Sequence, residues 1–197
     1  RRTAPLFGEI HMKRTAQRGF TMIELIVVIV ILGILASVAL PRLTNMQRDA
    51  RIAKLNAARG SVAAAAAMVH GAALARAGQG NNTCSNGAVA NATAAGGGTV
   101  CVETGRIAIV NSYPQALATT AANGGIISAA GLVPPGAAAN TEGYNIINGG
   151  AGAGAVVTVQ VICGVNQATC FFTYTAPAVP NGAAVVSGNI PANIAGC

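Results

Sequence analysis

Arg18-Gly19-Phe20-Thr21-Met22-Ile23-Glu24-Leu25-Ile26-Val27-Val28-Ile29 opens an apolar run that continues to Leu40, 21 residues interrupted by Thr21, Glu24 and Ser37. As a helix rising about 1.5 Å per residue, such a run spans roughly 30 Å, the depth of a bilayer core. Lys13, Arg14 and Arg18 flank its N-terminal side, so the positive-inside rule keeps that end cytoplasmic and exports the remainder of the chain. An ordinary cleaved signal has a shorter apolar region, about 7–15 residues, closed by an A-x-A-like site. This run is longer and carries a carboxylate, Glu24, at its fifth residue. An acid within lipid costs several kcal/mol, so a plain anchor has no use for it.

Downstream the helical pattern survives Pro41. Leu43, Met46, Ala50, Ala53 and Ala57 recur at spacings of three and four, as do Val62, Ala66, Val69 and Ala73, and this periodicity marks one helical face. The alanines of 63–67 favour helix, and Gly78-Gln79-Gly80 stops it. The pattern predicts one long helix over 20–77, kinked at Pro41. Its first half, 20–41, is apolar all round. Its second half, 42–77, is amphipathic, with Arg48, Asp49, Arg51, Lys54 and Arg59 on other faces.

Residues 78–197 form the exported domain. Gly, Ala, Asn and Thr dominate 78–155, which predicts extended loops with short strands. Val100–Val110 reads as a strand pair or as a strand and turn, and Ala155–Cys163 with Ala168–Thr175 as a hairpin across Gly164-Val165-Asn166-Gln167. Ala183–Ser187 adds a strand. Strands that come after a helix without alternating with it predict an α+β fold, an antiparallel sheet packed on the helix.

Composition narrows the function. Charged residues make up only 9% of the chain, against about 25% in an average protein, so much of the surface is expected to lie against lipid or other copies. The formal charge of +7 is concentrated at the start: residues 1–19 hold five Lys/Arg against one acid, and 20–197 hold seven against four. No Lys or Arg comes after Arg106. A basic balance that sits in a removable leader is no basic face for nucleic acid, and no nucleic-acid partner is expected. Five cysteines, Cys84, Cys101, Cys163, Cys170 and Cys197, all lie beyond the apolar run. Without zinc-type spacing they indicate disulfides in an oxidising compartment.

The stretch from Arg18 to Ile29 resembles the class III signal of type IV pilins and type II secretion pseudopilins, a basic leader ending in glycine, then phenylalanine, then glutamate as the fifth mature residue. Gly19, Phe20 and Glu24 occupy those positions. The resemblance implies a type IV pilin fold and removal of residues 1–19 by a prepilin peptidase that cuts between Gly19 and Phe20 and N-methylates Phe20. Counted from Met12 the leader has eight residues, which implies that 1–11 extend upstream of the working start. Glu24 is then expected to offset the new α-amine of Phe20, in its own chain or in a neighbour, and so to set register during assembly. Gly33 and Pro41 fall where many type IVa pilins keep a glycine and a proline, which implies a helix segment able to unwind in the filament. Gly33 and Ser37 also form a small-xxx-small pair suited to close helix packing. Pro41-Arg42-Leu43 through Arg48-Asp49-Ala50-Arg51 to Met68-Val69-His70, with Thr169-Cys170-Phe171-Phe172-Thr173-Tyr174-Thr175, looks like the mannose-sensitive haemagglutinin type of pilin.

The implied partners are identical subunits in a helical homopolymer, the prepilin peptidase, the pilus assembly machinery and, before assembly, the inner membrane. The implied destination is an extracellular pilus acting in adhesion or motility. The rivals are the major pseudopilin of a type II secretion system, a minor or competence pilin, and a monomeric membrane-tethered periplasmic domain. Pseudopilins of that kind usually have a calcium site near the C-terminus, whereas Glu142 is the single acid after Glu103. For the cysteines, 84–101 and 163–170 are the favoured pairs, the second stapling the hairpin. Cys197 is then free, or takes a partner's place and ties the C-terminus to the sheet as the family's C-terminal disulfide does.

No catalytic set is expected. His70 stands alone on a helical face and reads as structural or solvent-facing. Gly150-Ala151-Gly152-Ala153-Gly154 mimics a phosphate loop but precedes a strand where a helix is needed. The acids after residue 19, Glu24, Asp49, Glu103 and Glu142, are too few for a carboxylate pair or a metal cage. Neither a cofactor nor a metal is expected. Asn81-Asn82-Thr83 and Asn91-Ala92-Thr93 fit the N-glycosylation pattern.

Overall fold

The computed structural model describes residues 19–84, 89–92, 96–118, 123–132, 143–162, 169–188, 194 and 196–197. The chain divides into two compact units, Arg1–Leu43 and Thr44–Cys197.

Helix α1 runs from Met22 to Arg76, 55 residues with Pro41 inside it, close to the expected 20–77. In the first unit every large apolar side chain from Phe20 to Leu40 is exposed. That is the expected outcome for a segment whose apolar residues surround the helix and leave it no polar face to present to water.

In the second unit the buried stripe of α1 is Leu55, Ala58, Val62, Ala65, Ala66, Val69 and Ala73, spaced as one helical face. Leu43, Met46, Ala50, Ala53 and Ala57 lie in the helix, as their spacing predicts, but they are exposed, and the buried face starts at Leu55. Alanine occupies several phases of this helix, so alanine spacing alone does not select a face. Leucine does, because burying its larger side chain stabilises more.

The expected antiparallel sheet is present, and the described residues form three such sheets in all. β1 (Asn81–Thr83) and β2 (Val89–Asn91) form an antiparallel ribbon. β3 (Gly98–Val102), β4 (Gly105–Val110) and β5 (Tyr113–Pro114) form a meander. β6 (Tyr144–Ile147), β7 (Val156–Val161), β8 (Phe171–Thr175) and β9 (Val185–Gly188) form a four-stranded antiparallel sheet in sequence order. The two hairpins anticipated at 100–110 and 155–175 are present as β3–β4 and β7–β8, and the strand at 183–187 is β9. The turn Gly164–Gln167 lies outside the described residues. A short helix α2, Ile126–Ala129, sits between the sheets in sequence.

Helix α1 serves both larger sheets. Leu55, Ala58, Val62, Ala65 and Ala66 share a core with Tyr144, Ile146, Val157, Val159, Val161, Phe172 and Tyr174. Val69 and Ala73 share a second core with Val100, Ile107 and Ile109 of the meander. β8 shows the alternation of a half-buried strand: Phe172 and Tyr174 are fully buried while Phe171, Thr173 and Thr175 are partly exposed. Opposite Phe172 in β9 lies Gly188, at φ +125, and a Cβ there would meet the Phe172 Cβ at 2.6 Å.

Candidate functional site

Helix α1 begins with a reciprocal cap. The Thr21 backbone N–H donates to Glu24 Oε2 at 2.9 Å, the Thr21 hydroxyl donates to the same oxygen at 2.7 Å, and the Glu24 N–H donates to Thr21 Oγ1 at 3.3 Å. This is the capping box, in which two otherwise orphaned N–H groups of a helix start are satisfied by each other's side chains. The carboxylate also sits in the first turn, where the helix dipole favours negative charge. Thr21-Met22-Ile23-Glu24 spells the box in the sequence, a signal missed when Glu24 is treated only as a partner for an amine. Within the chain as it stands, Glu24 already has a partner.

Gly19 and Phe20 precede the helix outside any helix or strand and both are exposed, so the peptide bond between them is open to an enzyme. Phe20, Ile23, Glu24, Val27 and Val28 together line a shallow cleft of about 380 Å³ at the helix start. The structure thus brings Phe20 and Glu24 together. It does not bring Gly33 or Pro41 to them: both lie further along α1, exposed, and the helix runs unbroken through each. Proline has no N–H to offer the Ser37 carbonyl one turn back, while the Ser37 hydroxyl donates to the Ile34 carbonyl at 2.7 Å. The segment between Gly33 and Pro41 is therefore the weakest part of the helix on backbone grounds, since glycine and proline are its poorest formers.

In the second unit two disulfides are formed among the described residues, Cys84–Cys101 and Cys170–Cys197. The first is the expected pair. The second differs from the favoured 163–170 and is the alternative in which Cys197 ties the end of the chain to the sheet. Cys163 lies outside the described residues. The physical reason is placement: Cys170, immediately before β8, has its Cα 4.9 Å from that of Cys197, within the roughly 4.4–6.8 Å typical of a disulfide. Arg51 on α1 reinforces the tie by donating from Nη1 to the Cys197 carbonyl at 2.8 Å. Arg76, in the last turn of α1, donates to the Cys101 carbonyl at 2.9 Å. The two disulfides are thus each held to α1 by an arginine. Neither role was legible in advance, because both arginines reach across more than twenty residues of sequence to a carbonyl that carries no signature. Of the two roles expected for His70, structural or solvent-facing, the structural one holds: it is half-buried, and its ring stacks on Tyr113 with centroids 4.0 Å apart.

Residues 14–40 match the family model of the prokaryotic N-terminal methylation motif. The type II secretion system core protein G of Klebsiella michiganensis is 62% identical over 32 residues, 16% of this chain and 22% of that protein. The protein of the same name from Pseudomonas aeruginosa is 48% identical over 56 residues, 28% of this chain and 37% of that protein. The chain therefore spans well under half the length of these curated relatives. No solved structure matches the chain. By length and composition the matched helix suits an inner-membrane anchor. The chain thus has a type IV pilin-like N-terminal methylation motif at the start of a long apolar helix, with an antiparallel sheet packed on the helix's second half, and over part of its length it is similar to type II secretion core proteins.

Proposed function

We propose that the chain is the structural subunit of a type IV pilus, used in adhesion or motility, and that it has no enzymatic activity. Residues 1–19 are the leader. Hydrolysis of the Gly19–Phe20 bond by a prepilin peptidase releases them and frees the Phe20 α-amine, which is then methylated. Residues 20–41 hold the subunit in the inner membrane and afterwards form the filament core. Residues 42–77 and 78–197 make the domain displayed on the filament surface, outside the cell.

One observation carries the assembly reading: the apolar side chains of Phe20–Leu40 are exposed on every side. In water that surface must be covered, and lipid or identical helices cover it on all faces at once. Glu24 supplies register, since a buried carboxylate penalises every alignment that leaves it unpaired. A cationic amine at Phe20 of a neighbour competes with Thr21 for it. The pilus reading is supported further by the Cys170–Cys197 tie, which resembles the C-terminal disulfide of pilins, and by the resemblance of Pro41–His70 and Thr169–Thr175 to the mannose-sensitive haemagglutinin type.

A second reading has an observation in its favour. The Klebsiella and Pseudomonas relatives are both named core proteins of type II secretion, and their likeness favours a pseudopilus confined to the periplasm. That likeness covers 32 and 56 residues, 16% and 28% of this chain. Electron microscopy of sheared cell-surface material, with N-terminal sequencing of its main band, separates the two. Long filaments whose subunit starts at methylated Phe20 establish the pilus. The same processed subunit found only in the periplasm establishes the pseudopilus, and an unprocessed, unassembled chain overturns both.

A further inference from the structure

The two disulfides of the second unit stand in opposite surroundings. Cys170 and Cys197 are 0% and 2% exposed. Cys84, 4% exposed, is bonded to Cys101, which is partly exposed on β3, and both line a cleft of about 390 Å³. Arg76 of α1, Asn82 and Thr83 of β1 and Glu103 of the β3–β4 turn stand around them. Arg76 is anchored there by its bond to the Cys101 carbonyl at 2.9 Å. Exchange between a thiol and a disulfide needs access to one sulfur and a good leaving group, and a nearby cation stabilises the departing thiolate. The cleft supplies both for one disulfide, and burial withholds access from the other.

We infer that Cys84–Cys101 is a thiol-exchange site, opened selectively by a dithiol reductant entering this cleft, while Cys170–Cys197 is a permanent tie. One thiolate of the reagent attacks Cys101 Sγ in line with the S–S bond. A mixed disulfide forms, and Cys84 leaves as a thiolate and takes up a proton. The reagent's second thiolate attacks the reagent's own bonded sulfur, closes a cyclic disulfide and releases Cys101 as a thiolate in the cleft that Arg76 lines. Two electrons and two protons pass from the dithiol to the two cysteines. Glu103, exposed at the same cleft, opposes the guanidinium's field and disfavours the approaching thiolate.

Opening this bond acts on one element. Cys84 directly follows β1, and Cys101 lies in β3, so the disulfide ties β1 to the meander. Among the described residues β1 pairs with β2 alone, and a two-stranded ribbon by itself is marginally stable in water. The remaining attachments act further along: the Asn91 N–H donates to Thr99 Oγ1 at 3.1 Å, Ala92 bridges to Gly98, and Ala90 and Ala92 are buried. Reduction therefore loosens β1 and leaves the four-stranded sheet in place.

The site goes beyond assembly and stands for a pilus or a pseudopilus alike. In the test, the full mature chain in detergent micelles meets dithiothreitol without denaturant. Free thiols are trapped with iodoacetamide, and peptide mass spectrometry reads which cysteines are labelled. Cys84 and Cys101 are expected to label at least about tenfold faster than Cys170 and Cys197, the accessible bond being the labile one. Arg76→Gln is expected to slow the opening about threefold, the scale of one nearby charge, and Arg76→Lys to restore it. Glu103→Gln, at an exposed turn, is expected to speed it. A merely structural Arg76 predicts the opposite sign, because its loss would loosen β3 and expose the bond. After reduction, amides of 81–83 are expected to exchange with deuterium faster, with those of β7 and β8 unchanged. Equal or reversed labelling rates overturn the assignment. So does opening confined to urea concentrations that unfold the four-stranded sheet, or faster opening in Arg76→Gln. Filament formation, scored separately by microscopy, keeps this failure distinct from failure of the pilus reading.

Discussion

Arg51 donates a hydrogen bond to the carbonyl of Cys197 at 2.8 Å, so the helix grips the residue that closes the Cys170–Cys197 disulfide. The disulfide fixes the end of the chain to the first residue before β8, and the arginine fixes it to α1. Replacing both cysteines with serine opens a loop of 27 residues, and the chain-entropy model gives a loss of about 3.5 kcal/mol. Arg51→Ala removes a charge-assisted bond and is expected to cost about 1.5–3 kcal/mol. Urea denaturation of the mature chain in detergent, with and without reductant, reads both. If reduction leaves the midpoint of the Arg51→Ala chain as far from wild type as before, the two ties act independently. A smaller gap after reduction shows that they act together.

Tyr174 is fully buried and donates to the Pro114 carbonyl at 2.7 Å. Burial pushes its hydroxyl well above the usual tyrosine value, and Tyr113 adds to the shift. The unfolded chain then releases this proton near pH 10 while the folded chain keeps it. Stability from this group is complete below about pH 10 and falls by about 1.4 kcal/mol per pH unit above it. Tyr174→Phe removes that slope and carries a constant cost of about 1 kcal/mol for the lost hydrogen bond. Denaturation midpoints between about pH 8 and 11, spanning the ordinary tyrosine value, check the sign. A slope that persists in the phenylalanine variant places its origin elsewhere.

Glu24→Ala is expected to leave cleavage after Gly19 intact and to reduce filament yield at least about tenfold, since subunits without the acid lose the penalty that selects register. Thr21→Val keeps the carboxylate and removes the hydroxyl that holds it, so its yield is expected to lie nearer wild type. Immunoblots of sheared filaments against whole cells read the ratio. Normal yield from Glu24→Ala would sink the register argument.

Gly33→Ala and Pro41→Ala restore helix-forming residues at the two weak points of α1, worth about 1 and 3 kcal/mol respectively in a helix interior. An alanine at position 41 also supplies the helix N–H that proline lacks. Amides between 33 and 45 of the double variant are expected to exchange with deuterium more slowly than those of wild type. Filaments built from it should extend less under an optical trap. Equal exchange would mean that the segment is held by its surroundings, with backbone propensity contributing little.

Leu55→Ala removes a fully buried side chain and is expected to cost about 2–5 kcal/mol. Ala57→Leu, two residues on, adds bulk to an exposed face and should leave the unfolding midpoint within about 0.5 kcal/mol of wild type. The pair tests the phase of the helix directly, because the reverse ranking is required if Ala53 and Ala57 face the core.

That phase also shows what was legible in the sequence. The extent of α1 could be read from apolar periodicity and alanine content, which are local signals. The hairpins at 98–110 and 156–175 could be read from β-branched and aromatic runs. The face of the helix could not, because alanine at positions 53, 57, 58, 65 and 66 fits both the buried and the exposed stripe. β6 was missed because Tyr144-Asn145-Ile146-Ile147 is four residues long and owes its extended form to pairing with β7. The partner of Cys170 was open for the same reason, since spatial proximity to Cys197 depends on how the whole sheet is laid down. At the candidate site Gly19, Phe20 and Glu24 were legible as a motif. Thr21 was legible too, as the other half of the box, and went unread.

The two cores that share α1 have a mechanical consequence. The stretch Leu55–Ala66 seats on one sheet and Val69–Ala73 on another, and among the described residues no strand of the first pairs with a strand of the second. A pull along the helix axis therefore loads both seats in shear at the same moment. Slip at one is resisted by the other, so the two sheets should let go of α1 in a single rupture and not peel away one by one.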